Sequence, residues 1–515
     1  MNRMPADWLD ALSAENVPLS NLTLAIDTFP DFSTWSTSLQ SFLKSCRDLA
    51  MPRDPNLAIR VTRTSPSLST SPIDRLDPVL CVGMKYKKIH EVAHLSNVIH
   101  DLCGDTCDVV DVGSGKGYIS QALSHHFGYH VIGLEGNEGQ HQKATERFTK
   151  TEERRSARKQ SPPPLPSPST SSSICHTTAM DHSTVNFMLG YSIRSDDLDA
   201  LVTPSLAHPT SSLCLMSLHA CGDLSPILLE LYTHWERAGT LVNVSCCYHK
   251  IATKSLESGK GFPMSSFISD CLSTGIDLNP HSYWLEMATG CPLKWQAMDA
   301  RAMEIRINKL AFRSVLELLF RKCLAQTPSF APSAYLECII HVQKMRSESV
   351  YESFDEYLKA ALPRCKVKRN RSDSHPILAS ELSSHWHELQ QKVLDMSQEV
   401  YAQFEPQRRA MKVWLALESC IAPVAESLVL FDRWQYLEEF GRQQMKASEE
   451  GTAKEEGNVS LQEHPHSDAT NSPVSSGVSS IVPWIVPVFD QEESPRNLAL
   501  IATKVTQKSA DPSAS

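Results

Sequence analysis

Apolar residues recur at helical spacing through 87–102, where Ile89, Val92, Ala93, Leu95, Val98, Ile99 and Leu102 share one face. This spacing predicts an amphipathic helix stopped by Gly104. The texture then changes. Residues 108–112 (DVVDV) form a short apolar run, 113–117 are dense in glycine, and 118–127 return to helical spacing until Gly128. Residues 129–135 (YHVIGLE) make a second apolar run. Strand, glycine turn, helix and strand form a βαβ unit, the start of an open parallel sheet.

The α/β pattern resumes with a strand over 213–218, a helix over 225–237 ended by Gly239, and a strand over 241–245. Helices are also expected around 32–49 and, highly charged, over 138–159. Residues 300–445 are mostly helical by pattern. Two strands at 484–489 and 498–503 flank a turn carrying Pro495. Three segments cannot pack: a linker at 65–72, the Pro/Ser run 161–173 (SPPPLPSPSTSSS), and the Glu/Gly/Ser-rich stretch 447–479. The expected organisation is a helical and linker region over 1–80 and a core over 81–300 with a disordered insertion at about 151–173. A helical insertion over 301–446, a disordered linker over 447–479, C-terminal strands over 480–504 and a tail over 505–515 complete it.

Composition narrows the class. Hydrophobic residues at 41% and charged residues at 21% exclude a fully disordered or collagen-like chain. No continuous apolar run approaches the ~18 residues of a membrane span, and residues 481–489 contain two prolines. The opening MNRMPADWLD has acidic residues where a signal peptide needs apolar ones. A cytoplasmic or nuclear protein without a membrane partner is expected. The net charge of −10 argues against a constitutively basic nucleic-acid binder and against DNA as a partner, while leaving room for a local basic groove. The 15 cysteines show no repeated C-x-x-C pairing, which fits reduced thiols.

The glycine turn reads Asp111-Val-Gly113-Ser114-Gly115-Lys-Gly117. Glycines there let the backbone approach a ligand, and the following helix N-terminus favours an anion. It lacks the spacing of a Walker A loop, and Tyr118 stands where the dinucleotide fingerprint needs glycine. What remains, D-x-G-x-G-x-G at a strand end, resembles motif I of class I S-adenosylmethionine-dependent methyltransferases. Glu135 ends the next strand, where an acid can accept both ribose hydroxyls of an adenosine. The alternative is a degenerate Rossmann-like domain that binds nothing.

Two further segments fall at the ends of successive strands: 218–225 (LHACGDLS) and 243–249 (NVSCCYH). His219, Asp223 and His249 can act as bases or orient an acceptor, with His249 foremost. Asp223 can equally belong to a helix start with Ser225 as N-cap and Pro226 at the first position. A zinc site from Cys221, Cys246, Cys247 and the histidines is disfavoured, because successive strand residues point to opposite faces. No metal is expected, and a nucleophilic role for either adjacent cysteine lacks an activating partner.

DVGSGKG, LHACGDLS and SCCYHK together resemble the methyltransferase-like protein 25 family, including its ribosomal-RNA-adenine-dimethylase-domain branch. Lys87-Lys88-Ile-His90-Glu91, the segments 422–428 (APVAESL) and 432–437 (DRWQYL), and 494–504 (SPRNLALIATK) look like further parts of it. The resemblance covers about 80–504, and 283–295 (YWLEMATGCPLKW) matches nothing placed. It implies an α/β, Rossmann-like class I methyltransferase: a mainly parallel doubly wound sheet, a large helical insertion and a C-terminal antiparallel hairpin. It implies S-adenosylmethionine as cofactor, held by Asp111, Gly113, Ser114, Gly115, Gly117 and Glu135. The second pair of motifs is also similar to those of tRNA 2′-O-methyltransferases, which points towards RNA ahead of protein as acceptor. No N-P-P-[YFW] tetrad or proline–cysteine nucleophile pairing marks the acceptor atom. Lys85, Lys87 and Lys88, and Lys366, Lys368, Arg369 and Arg371, are candidate phosphate contacts. The competing expectation is an inactive methyltransferase-like scaffold that docks partners on its helical region.

Overall fold

Strand residues of this chain alternate between two apolar layers, and that alternation builds the sheet. The computed structural model describes residues 5–12, 32–54, 76–104, 107–160, 184–189, 195–207, 212–251, 261–275, 283–290, 298–326, 338–345, 347–369, 386–456 and 479–506. Its strands are β1 (Asp108–Val112), β2 (His130–Glu135), β3 (Thr184–Leu189), β4 (Leu213–Ala220) and β5 (Ala238–Ser245). They continue with β6 (Cys338–Val342), β7 (Cys365–Arg369), β8 (Ser479–Pro487) and β9 (Leu498–Thr506).

Seven strands form one sheet in the order β3-β2-β1-β4-β5-β9-β8. The first five are mutually parallel, and β9 runs antiparallel to both β5 and β8. This is the mainly parallel, doubly wound sheet with a C-terminal antiparallel hairpin that the resemblance implied. Prolines 483 and 487 fall in β8, an edge strand, where a missing N–H costs least.

Val109, Val131, Cys214, Met216, Val242, Val244 and Ile501 face one layer, packed on the helices Tyr86–Cys103 and Tyr118–Phe127. Val110, Ile132, Leu215, Leu241 and Leu500 face the other, packed on Leu198, Leu228, Tyr232, Leu430 and Trp434. Both faces are therefore covered, as parallel sheets require.

The described chain divides into two units: 49–290 with 422–515, which holds this sheet, and 1–48 with 291–421. The helical stretch over 301–446 is accordingly split inside the helix Trp386–Glu456. From Ala422 onwards that helix supplies core to the sheet through Leu430, Trp434 and Leu437. The second unit centres on the helix Ala300–Ala325, with Phe312, Leu316 and Phe320 packed against Phe354, Tyr357 and Val393. The β6–β7 ladder lies there, and the helical pattern did not anticipate it. A window within Ala410–Ala447 is long and apolar enough to cross a membrane, but 61% of it is buried inside the protein, as in a core helix.

Several boundaries move. Residues 151–160 are helical, within Glu138–Gln160, rather than part of an insertion; 161–173 and 65–72 lie outside the described residues. The helix Trp386–Glu456 carries ten residues past 446 into the stretch expected to be unstructured, and 457–478 lie outside the described residues. Gly239 does not stop a helix: the helix is Leu224–His234, and Gly239 lies in β5, where a Cβ would come within 1.8 Å of Ser212 Oγ. β3 and the helix Ser195–Val202 follow the Pro/Ser run and had no clear periodicity.

Candidate functional site

The turn after β1 closes on backbone bonds. Gly113 and Ser114 N–H both donate to Leu134 O, at 2.8 and 3.0 Å, and Gly117 N–H donates to Ser114 O at 2.9 Å. Gly117 caps the helix Tyr118–Phe127 at φ +66°, a left-handed conformation that suits glycine. A Cβ there would lie 2.3 Å from Phe187 Cζ on β3, and one on Gly133 would lie 2.7 Å from the same ring. Phe187 thus fills the space under the turn that two missing side chains leave.

Glu135 locks the turn to the end of β2. Its Oε2 accepts from Gly115 N–H and its Oε1 from Asn137 N–H, both at 2.8 Å. At Gly115 a Cβ would meet nothing closer than Gly113 O at 4.0 Å, so the turn's outer side is open. Ser114 Oγ and, on β4, Ser217 Oγ are buried without a hydrogen-bond partner among the described residues. Asp111 is buried and accepts from Ser120 Oγ at 2.6 Å. Burial pushes its carboxyl up to about 6 against the Ser120 bond, and the negative Glu135 adds to the rise. The six residues expected to hold an adenosine cofactor therefore form one cluster. Open space at Gly115, the two orphaned hydroxyls and an acid at the neighbouring strand end fit such a group.

The proposed bases separate. His219 lies near the end of β4 with φ +71°, and its Nε2 is 3.0 Å from Glu91 Oε2. Glu91 is fully buried and also meets Lys87 Nζ at 3.0 Å, Lys88 Nζ at 2.8 Å and Ser494 Oγ at 2.8 Å. Burial opposes its ionisation, but the His219 bond and charge, with Lys88, hold the Glu91 carboxyl far below the usual carboxylate range. Lys87 and Lys88 are thereby committed to a buried acid, which weakens their reading as phosphate contacts. The side chains of Lys366, Lys368, Arg369 and Arg371 lie outside the described residues.

Asp223 occupies the N-cap position of the helix Leu224–His234 without a side-chain cap bond. Ser225, expected as the cap, is instead buried in a polar cluster, 2.9 Å from Ser245 Oγ and 2.6 Å from Asn243 Nδ2. His249 is exposed on the short turn Tyr248–Lys250.

The three thiols do come together, contrary to the expectation from strand alternation. β5 ends at Ser245, so Cys246 and Cys247 lie beyond the pleat and both turn towards Cys221. Hydrogen bonding from Cys246, and then from Cys247, pulls the Cys221 thiol well below its ordinary value, with His219 and Lys250 adding positive charge. The same contact with Cys221 pushes Cys246 up.

The residues that periodicity could not single out surround these motifs. Arg433, fully buried, donates to Ser245 Oγ at 2.7 Å. Glu426 accepts from Tyr248 Oη at 2.9 Å, from Arg496 Nη1 at 2.8 Å and from Arg53. The 283–287 helix, which matched nothing, places Leu285 and Ala288 against Tyr248, Ile251 and Phe262. Its role is to support the turn after β5.

A family model described as "Methyltransferase domain" matches residues 87–254. The chain is 24% identical to human "Probable methyltransferase-like protein 25" over 237 residues, which is 44% of this chain and 32% of that protein. It is 23% identical to the mouse protein of the same name over 238 residues, 44% of this chain and 33% of the relative. The match thus spans about one third of each relative's length. Among solved structures, the plantazolicin methyltransferase BpumL in complex with SAH aligns over 69% of this chain and 94% of its own, at 9% identity and a TM-score of 0.18.

Proposed function

We propose that the chain, which carries a methyltransferase domain over residues 87–254 and is similar to methyltransferase-like protein 25, is an S-adenosylmethionine-dependent methyltransferase acting on RNA. The observation that carries the cofactor reading is the joint between Glu135 and Gly115, with the open face beside it. Gly113, Gly115 and Gly117 keep side chains out of the approach, Glu135 offers a carboxylate to a ribose, and Ser114 supplies an unpaired hydroxyl. When bound, the cofactor supplies an electrophilic methyl group on sulfur.

The protein's own task is to place an acceptor in line and remove its proton. His219 is oriented by a buried carboxylate, the arrangement that fixes a histidine tautomer. It is therefore preferred as base over the exposed His249. RNA is favoured by a cleft of about 260 Å³ lined by Lys116, Lys143, Arg147, Lys150 and Arg154, beside the glycine turn of an otherwise acidic chain. Arg147 is tied to Leu80 O and Val82 O and covers the Tyr118 ring, which leaves the lysines to meet phosphate.

Calorimetric titration with S-adenosylmethionine and S-adenosylhomocysteine tests the cofactor. Micromolar binding lost in Glu135→Ala supports it, and no binding by the folded wild type overturns it. Tritium-methyl transfer into RNA and protein extracts then tests the acceptor. Label in RNA that falls in a Lys116→Glu/Lys150→Glu variant with intact cofactor binding supports RNA; label only in protein overturns that part.

A further inference from the structure

Three thiols meet where the loops after β4 and β5 come together. Cys221 Sγ lies 2.9 Å from Cys246 Sγ and 3.4 Å from Cys247 Sγ, and Cys246 and Cys247 are 3.6 Å apart. All three are free cysteines. Their backbones are fixed independently of the sulfurs. Cys221 O accepts from Leu224 N–H, Cys246 O from Tyr248 N–H and Cys247 O from Lys250 N–H, at 3.0 to 3.2 Å. Gly222, at φ +58°, lets the two loops touch: a Cβ there would lie 2.8 Å from both Lys250 Cβ and Lys250 O. The sulfurs are thus held together by two interlocked turns.

We propose that Cys221, Cys246 and Cys247 bind a zinc ion, with the fourth position open to an external ligand. Zinc–sulfur bonds of about 2.3 Å in a tetrahedron place sulfurs about 3.8 Å apart. The observed spacings fall short of that by less than 1 Å, a gap that small side-chain rotations close. Three protein ligands and one free position is the arrangement of reactive zinc sites; closed structural sites use four. Cys221 is exposed, so the free position faces solvent. His219 and His249 each lie two residues from one of these cysteines, but His219 is engaged by Glu91 and, among the described residues, the ligand atoms within 4.8 Å of one another are the three thiols alone, which leaves an outside donor, water or a soft anionic group, to complete the shell. The competing fate of such close thiols is a disulfide between Cys221 and Cys246, which would form the S–S bond by passing two protons and two electrons to an external oxidant such as dioxygen and would strand Cys247.

The test uses the full chain purified under reducing conditions without chelator. The expected result is one equivalent of zinc, retained in Cys271→Ser and lost from Cys221→Ser and Cys247→Ser, with affinity in chelator competition falling roughly tenfold or more. Cobalt substitution of the wild type should give a strong thiolate charge-transfer band, which mercurial reagents abolish as they release the metal. That arm does not depend on the variants folding. Metal-free wild type that takes up no zinc overturns the proposal, as does zinc retained in both serine variants. So does an intact mass two hydrogens light with Cys221 and Cys246 crosslinked. The proposal stands apart from methyl transfer, since none of its readouts measures activity.

Discussion

His219 Nε2 and Glu91 Oε2 stand 3.0 Å apart across 128 residues of chain, joining the end of β4 to the first turns of the helix Tyr86–Cys103. The carboxylate is fully buried and ringed by His219, Lys87, Lys88 and Ser494. Removing it leaves four donors without their acceptor. Glu91→Ala should cost on the order of 3–5 kcal/mol, the range for breaking a buried ion pair from one side. Because the folded carboxyl is held below its unfolded value, its contribution is complete above about pH 4.5 and is lost as pH falls below that. Denaturant midpoints between pH 7 and pH 3 check both points: the wild type should lose stability over that range more steeply than Glu91→Ala. Equal slopes would show that the carboxylate is not held ionised by its partners.

Asp111 has the opposite sign. Burial raises its carboxyl to about 6, so the folded state binds a proton more tightly than the unfolded chain does. Its ionisation penalty is absent below the ordinary value near 3.8, grows between there and pH 6, and is fully present above it. The shift corresponds to a penalty on the order of 3 kcal/mol. Asp111→Asn should therefore raise the thermal midpoint of the ligand-free protein at pH 7.5, with little change at pH 4. Its affinity for S-adenosylhomocysteine should fall in parallel. A midpoint that drops at pH 7.5 would mean the charge is compensated in the folded state.

Much of this site was legible in the sequence because its elements are local. The run from Asp108 to Glu135 encodes strand, turn, helix and strand in consecutive residues, and every boundary falls within one residue of expectation. Motif I and Glu135 could be read together because a parallel pair brings successive strand ends side by side. Glu91, Phe187, Ser217 and Arg433 could not be read this way. Each acts across tens to hundreds of residues, and no periodicity marks a glutamate as a hub or a phenylalanine as the floor of a turn. The thiol cluster is hidden for a related reason: the alternation of the pleat ends at Ser245, before Cys246 and Cys247.

The helix Ser266–Ser273 is held from outside by two acids of the long helix. Asp432 accepts from Met264 N–H, Ser265 N–H and Ser265 Oγ at 2.7 to 2.9 Å and is fully buried. Glu439 accepts from Ser266 N–H, Ser266 Oγ and Phe267 N–H at 2.7 to 3.0 Å, at the surface. Glu439 accepts one bond more, from Gln435 Nε2 at 3.4 Å, so it is burial and not bond number that makes Asp432 the costlier loss. Asp432→Ala should cost about 3 kcal/mol, because buried donors lose their partner without gaining water. Glu439→Ala should cost about 1 kcal/mol. Urea titration of the two variants gives the comparison, and a reversed order would show that solvent reaches the Asp432 end.

Gly117 and Phe187 test the architecture of the turn itself. An alanine at 115 or 117 meets a left-handed backbone, at φ +59° and +66°, which costs roughly 1–2 kcal/mol in either place. Only at 117 does the new methyl also strike a ring, 2.3 Å from Phe187 Cζ; at 115 it enters open space. Gly117→Ala should thus lower stability by more than Gly115→Ala, and should displace the turn from below. Gly115→Ala should cost only that backbone term but weaken S-adenosylhomocysteine binding, since its methyl occupies the open side. Adding Phe187→Leu to Gly117→Ala should restore part of the lost stability, although Phe187→Leu alone in the wild type creates a small cavity and destabilises. That sign change in a double-mutant cycle is the signature of direct contact. Additive effects would separate Phe187 from the turn and leave the strained backbone alone as the reason for glycine at 117.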